Sequence, residues 1–212
     1  MSGPVTLADA SLADFAGQLA ARTPTPGGGS VAAHLAALGA ALAAMACRFT
    51  SGAKYASCES AMAERAERLD ALRVTATGLI DTDSAAYDAV SAAMKLPKGT
   101  DAEKAARTRA VQQALRGALE VPFRTLETAV AALRLTAAAA PDVNPNLASD
   151  CATAGYCLWS AAESARMNVR INAASIQDPE YVEKRSAATR ELEREARAHF
   201  ETVRDAMEAK LA

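Results

Sequence analysis

Thr23 to Phe49 reads TPTPGGGSVAAHLAALGAALAAMACRF, and the reading of this stretch decides the fold. Pro24 and Pro26 restrict the approach, while Gly27, Gly28 and Gly29 open the backbone to conformations and close contacts that a Cβ forbids. Ser30 is a good helix N-cap, since its hydroxyl can accept from a free first-turn N–H. Val31, Leu35, Leu38, Leu42, Met45 and Phe49 then recur at alternating steps of four and three, which is one helical face. Almost everything between them is Ala or Gly, so the other faces admit neighbouring backbones at close range. The expectation is a central helix buried all round. The glycines at its N-terminal end would form a nest suited to an anion or to a ligand that touches backbone. Taken alone, the same glycines serve a plain helix-entry loop equally well.

A chain of 212 residues can bury a real core as one domain, about 70% of its unfolded surface. Half of the residues are apolar, but mostly alanine, with 4% aromatic. Alanine has the best helix propensity and contributes little area, so the composition favours many close helix–helix contacts over a sheet. With 25 acidic and 23 basic residues, the positive excess that non-specific nucleic-acid binding wants is missing. Cys47, Cys58, Cys151 and Cys157 lack paired spacing and read as free thiols in a reducing compartment. No basic n-region precedes an apolar run near the N-terminus, and Val31–Cys47 is short and poor in large side chains for a membrane span. A cytoplasmic protein with no membrane or nucleic-acid partner is expected.

Outward from the central stretch, the pattern predicts five to seven helices in a single all-α domain over residues 1–212, with long outer helices around the alanine-rich one. A first helix is expected over Leu7–Ala20, with Thr6 and Asp9 as a capping box. Residues 57 to 96 contain no proline and one glycine, Gly78, and predict either one very long helix or two pieces bending there. Thr100 caps the next helix, and Pro122, inside its apolar pattern, predicts a kink or break near Val121. The polar segment Pro141–Asp150 is a turn leading to a helix capped by Ser149 or Asp150. Asp178-Pro179 opens the last helix.

Several polar residues lie where chemistry is possible. Asp81, Asp83 and Asp88 punctuate an apolar helix. Asp83 shares a face with Tyr87, and a carboxylate on a buried face is paired or functional, whereas one on a wet edge is neither. Asn168 and Asn172, four apart, would either satisfy loop carbonyls or bind a heterocycle with mixed donors and acceptors. Lys54 and Asp150 complete a plausible polar set. His34 and His199 have no partners at metal-ligand spacing, and neither a metal site nor a Ser–His–acid arrangement is expected. The glycine run also lacks the strand and the spacing of a nucleotide fingerprint.

With PTPGGGS, SGAKY, DTDSAAYDAV, LPKGTDAEKAAR, EVPF, NPNLASD and NVRIN in this order, the chain resembles the cyclodeaminase/cyclohydrolase family along nearly its whole length. The resemblance implies an all-α homodimer acting on one-carbon tetrahydrofolates, with no metal and no tightly bound cofactor. Carried over by motif, it implies a site of Pro26, Gly27, Gly28, Gly29, Ser30, Lys54, Asp83, Ser149, Asp150, Asn168 and Asn172. Two departures stand out: Val143-Asn144 where members often have Gly-Asn, and Tyr87 where Phe is common. Asp83, Lys54 and Asp150 would be catalytic, with Asp83 or Asp150 as general base and Lys54 facing developing charge. The remaining residues would hold the folate, the asparagines at the pterin edge. The 212 residues include no formiminotransferase domain to supply a cyclodeaminase by channelling. Hydrolysis of 5,10-methenyltetrahydrofolate to 10-formyltetrahydrofolate is therefore the expected activity. Release of ammonia from 5-formiminotetrahydrofolate is the alternative, and a non-catalytic folate-binding bundle is the alternative of another class.

Overall fold

The computed structural model describes residues 6–212. It consists of α1 Leu12–Ala20, α2 Gly28–Arg48, α3 Glu59–Met94, α4 Asp101–Ala139, α5 Ala148–Ala173 and α6 Pro179–Leu211, with no strand among the described residues. Single 3₁₀ turns at Ala53–Tyr55 and Pro145–Leu147 lead out of α2 and into α5. The sequence signals at two helix starts act as expected. Thr100 and Glu103 form a reciprocal capping box on α4, and Asp178 accepts the Tyr181 N–H at 3.0 Å with Pro179 in the first turn of α6.

α2 is the centre of the bundle, packed on α3 and α5 and lying against α4. Of its large side chains only Leu35 and Leu42 share in that contact, each half-buried. Ala32, Ala33, Ala36, Ala40, Ala43, Ala44 and Ala46 are buried, while Leu38 is 43% and Phe49 62% exposed and the rest of their stripe is half-buried. The expectation of a helix buried all round is thus corrected. Small residues let the neighbouring backbones come close, and the large ones are left on the open side. Gly39 shows how close: a Cβ there would lie 2.6 Å from Leu158 Cγ and 3.0 Å from the Ala154 carbonyl. At 21 residues and mean hydropathy 1.8, α2 is also long and apolar enough to cross a membrane, contrary to the sequence estimate, although it is packed among other helices here.

α3 runs unbroken through Gly78, and α4 runs unbroken through Pro122. The break expected near Val121 does not occur, and the carbonyl that Pro122 leaves without its helical partner finds one elsewhere, as described below. α1 starts later than expected. Thr6 and Asp9 do bond to each other, but they close a turn, and Ser11 caps the helix by accepting from the Asp14 N–H. Asp81 accordingly has a structural task, accepting the Leu7 N–H at 2.7 Å and that of Ala8 at 3.4 Å. At the other end of α2, Asn144 bonds Thr50 Oγ1 through its N–H and the Phe49 carbonyl through its amide, stitching the turn before α5 to the end of α2.

Candidate active site

α2 starts beside the middle of α3 and the end of α5. Its N-cap is Gly27, and no side chain of its own segment caps it. Ser30 is therefore not the cap expected from the sequence; it lies fully buried in the first turn of α2. Its hydroxyl sits 3.0 Å from the Ile80 carbonyl and 3.1 Å from Asp83 Oδ2, with one proton to give to either. Asp83, from α3, thus stands at the positive end of α2, where free N–H groups favour a negative charge.

Asp83 is held there by the absence of a side chain opposite. A Cβ on Gly29 would lie 2.1 Å from Asp83 Oδ1 and 2.5 Å from its Cγ, so the carboxylate occupies the space that any other residue at 29 would fill. Burial pushes the Asp83 carboxyl above its ordinary value of 3.8, and the Ser30 hydroxyl and backbone N–H pull it part of the way back. A carboxylate raised in this way, beside a cleft, is a candidate proton-exchanging group.

The cleft has a volume of ≈ 290 Å³ and is lined by Pro24, Thr25, Gly27, Gly28, Gly29, Asp83, Ala86, Tyr87, Val90, Leu115, Ala118, Asn168 and Asn172. That volume suits the head of a small molecule, with the remainder crossing the rim. Both asparagines have their orientation fixed. Asn168 Nδ2 donates to the Ser164 carbonyl at 2.8 Å, and Asn172 Nδ2 to the Ala118 carbonyl at 2.7 Å. Ala118 lies four residues before Pro122, which has no N–H to offer it. The proline therefore frees an acceptor on α4, and Asn172 of α5 takes it. Each amide keeps its Oδ1 acceptor for a ligand.

The residues singled out in the sequence thus divide into two groups. Gly27, Gly28, Gly29, Asp83, Asn168 and Asn172 line the cleft, with Ser30 beneath the carboxylate and buried Pro26 behind the loop. Lys54, Ser149 and Asp150 do not line it. α2 and α5 run antiparallel, with Gly28 beside Asn168 and Phe49 beside Asn144. Lys54 and the start of α5 therefore lie at the far end of α2, about 30 Å away at 1.5 Å per residue. Ser149 and Asp150 are also not caps: α5 starts at Ala148, and both sit in its first turn. Tyr87, which shares the Asp83 face, lines the cleft with a half-open ring, and its place one turn from Asp83 was the available signal. Among the described residues no group of three or more metal-ligating side chains is assembled.

An all-helical bundle with a half-buried carboxylate, a glycine-walled cleft and two oriented amides defines a class of small-molecule site. The comparisons then place it. The formiminotransferase-cyclodeaminase family profile matches residues 11–191, and the chain belongs to that family. It is 37% identical over 198 residues to a methenyltetrahydrofolate cyclohydrolase of Methylorubrum extorquens, covering 93% of this chain and 95% of that one. It is 36% identical over 211 residues to the formimidoyltransferase-cyclodeaminase of Rattus norvegicus, covering 99% of this chain but 39% of that much longer one. Among solved structures, the formiminotetrahydrofolate cyclodeaminase of Thermotoga maritima superposes with a TM-score of 0.86 at 27% identity, over 96% of this chain and 98% of that one.

These findings correct the expectation of a cyclohydrolase. The family, the solved structure and the rat relative all bear the cyclodeaminase name, and they outweigh the Methylorubrum relative. The expectation rested on the extent of the sequence, which says nothing about the chemistry of the cleft.

Proposed function

We propose that this protein is a formiminotetrahydrofolate cyclodeaminase, converting 5-formiminotetrahydrofolate to 5,10-methenyltetrahydrofolate and ammonia. The observation that carries the reading is the half-buried carboxylate of Asp83 facing the cleft, raised by desolvation and braced by Ser30. In the reaction N10 attacks the protonated formimino carbon, which becomes tetrahedral between N5, N10 and an amino nitrogen. The N10 proton must then leave, and the amino nitrogen must gain one before its bond to carbon breaks. Asp83 accepts the first proton and returns it to the departing nitrogen, which leaves as ammonia. The product keeps the single positive charge of the substrate. A group that gives and takes one proton in a cycle works best with a pKa near the working pH, and burial moves a carboxyl in that direction.

The pterin edge carries N–H donors, and the fixed Oδ1 atoms of Asn168 and Asn172 are acceptors suited to them. Tyr87 offers a ring face at the mouth, and the glycines let the substrate approach backbone. The glutamyl end crosses the rim beside Arg170, which neighbours Asn168 on the outer surface. We further infer a cytoplasmic homodimer without a metal or tightly held cofactor. The four free cysteines support the reducing compartment, and burial pushes the Cys47 and Cys151 thiols up to about 11 and about 12, where they stay protonated.

The deciding experiment incubates the protein with 5-formiminotetrahydrofolate and follows ammonia together with the methenyl chromophore. Stoichiometric appearance of both is expected. Binding of the folate with no ammonia released would make the protein a non-catalytic binder and end the proposal.

A further inference from the structure

The stripe Val31, Leu35, Leu38, Leu42, Met45 and Phe49 extends along the whole of α2 on its open side, about 27 Å at 1.5 Å per residue. Its alternating four-three spacing is the apolar seam of a two-helix coil, normally covered by another helix. Among the described residues of the single chain nothing fully covers it: Leu38 and Phe49 are exposed and the other four half-buried. The spacing is also the same read backwards. A second copy of α2 laid antiparallel pairs Val31 with Phe49, Leu35 with Met45 and Leu38 with Leu42 across a two-fold axis, the self-complementary contact of a closed dimer.

This pairing acts on the two separated polar groups. Antiparallel α2 helices bring the Gly27–Gly29 end of one copy level with the Gly52–Lys54 end of the other. Among the described residues no Lys or Arg lines the Asp83 cleft. Lys54 is exposed and has no carboxylate partner among the described residues, its ammonium lying 5.4 Å from the centroid of the Tyr55 ring. A parallel pairing would leave both deficits in place; the antiparallel one removes both.

We propose that each active site is composite, with Asp83, Asn168 and Asn172 from one subunit and Lys54 from the other, joined by antiparallel packing of the two α2 helices. The occupant of the open α2 face is therefore a second copy of this chain. The activity readout rests on the cyclodeaminase reading, while the assembly readout is independent of it.

Asp83→Asn and Lys54→Ala are prepared separately, then mixed under conditions that exchange subunits. In a mixed dimer one site carries both lesions and the other carries neither. Random pairing should therefore restore about one quarter of wild-type turnover from two nearly inactive proteins. A wild-type protein that turns over while the mixture stays inactive would show that Lys54 acts within its own chain or elsewhere, and would overturn the proposal. So would a fully active Lys54→Ala. A wild-type protein without turnover would instead sink the functional reading, leaving the assembly to sedimentation. There, wild type should run as a dimer and Leu38→Glu as a helical monomer by circular dichroism; an unaltered dimer from Leu38→Glu would refute the interface.

Discussion

Asp83 is the residue on which most of the proposed chemistry turns, and its neighbours make two independent tests of it. Asp83→Asn removes the proton exchange while keeping the shape, and turnover should fall roughly 10²–10⁴-fold, the usual scale for a general acid–base group. The same variant should melt higher. Because burial raises the folded pKa above the ordinary 3.8, ionisation at rising pH favours the unfolded chain first. The gain from Asp83→Asn is therefore absent below 3.8 and fully present above the raised folded value, which thermal melts on both sides will show. The acidic limb of the wild-type activity profile should likewise lie above 3.8. Gly29→Ala supplies the second test, since its methyl would collide with the carboxylate. It should cost at least tenfold in kcat, about 1.4 kcal/mol of transition-state stabilisation, while the circular dichroism stays helical. Pro122→Ala separates binding from chemistry. Its new N–H recovers the Ala118 carbonyl and releases the Asn172 amide, so KM should rise several-fold, a loss of about 1 kcal/mol, with kcat held.

Among the elements, α2 and α5 are joined by contacts that only small residues permit. Gly39→Ala places a methyl against Leu158 and the Ala154 carbonyl. It should destabilise by about 1–3 kcal/mol as the two helices are forced apart, measurable by urea unfolding. The helices themselves were legible in the sequence: alanine content, the Thr100 cap and Asp178-Pro179 act locally, and local rules suffice for them. What failed was orientation. Periodicity finds a stripe but does not say how much of it is covered, and the helix expected to be buried on every face leaves Leu38 and Phe49 exposed. Pro122 misled for a related reason, since the donor that repairs α4 comes from Asn172, 54 residues away. Part of the candidate cleft was legible because Gly29, Asp83, Asn168 and Asn172 converge in one chain. Lys54 and Asp150 belong to the same motifs, but no spacing along a sequence reveals that α2 separates them from the cleft.

At the scale of the whole molecule, the consequence of building the centre from alanine and glycine is thermal. A buried alanine hides far less hydrocarbon than a buried leucine, and exposure of hydrocarbon is what raises the heat capacity on unfolding. Calorimetry should therefore give a value below the usual ~12–15 cal/mol/K per residue. A value at or above that range would mean that unfolding also exposes a large apolar surface hidden between molecules. With a small heat-capacity change the free-energy dome flattens, so stability varies little from cold to warm. The close fit that excludes bulky side chains from the middle of this bundle would then also set the breadth of temperature over which it stays folded.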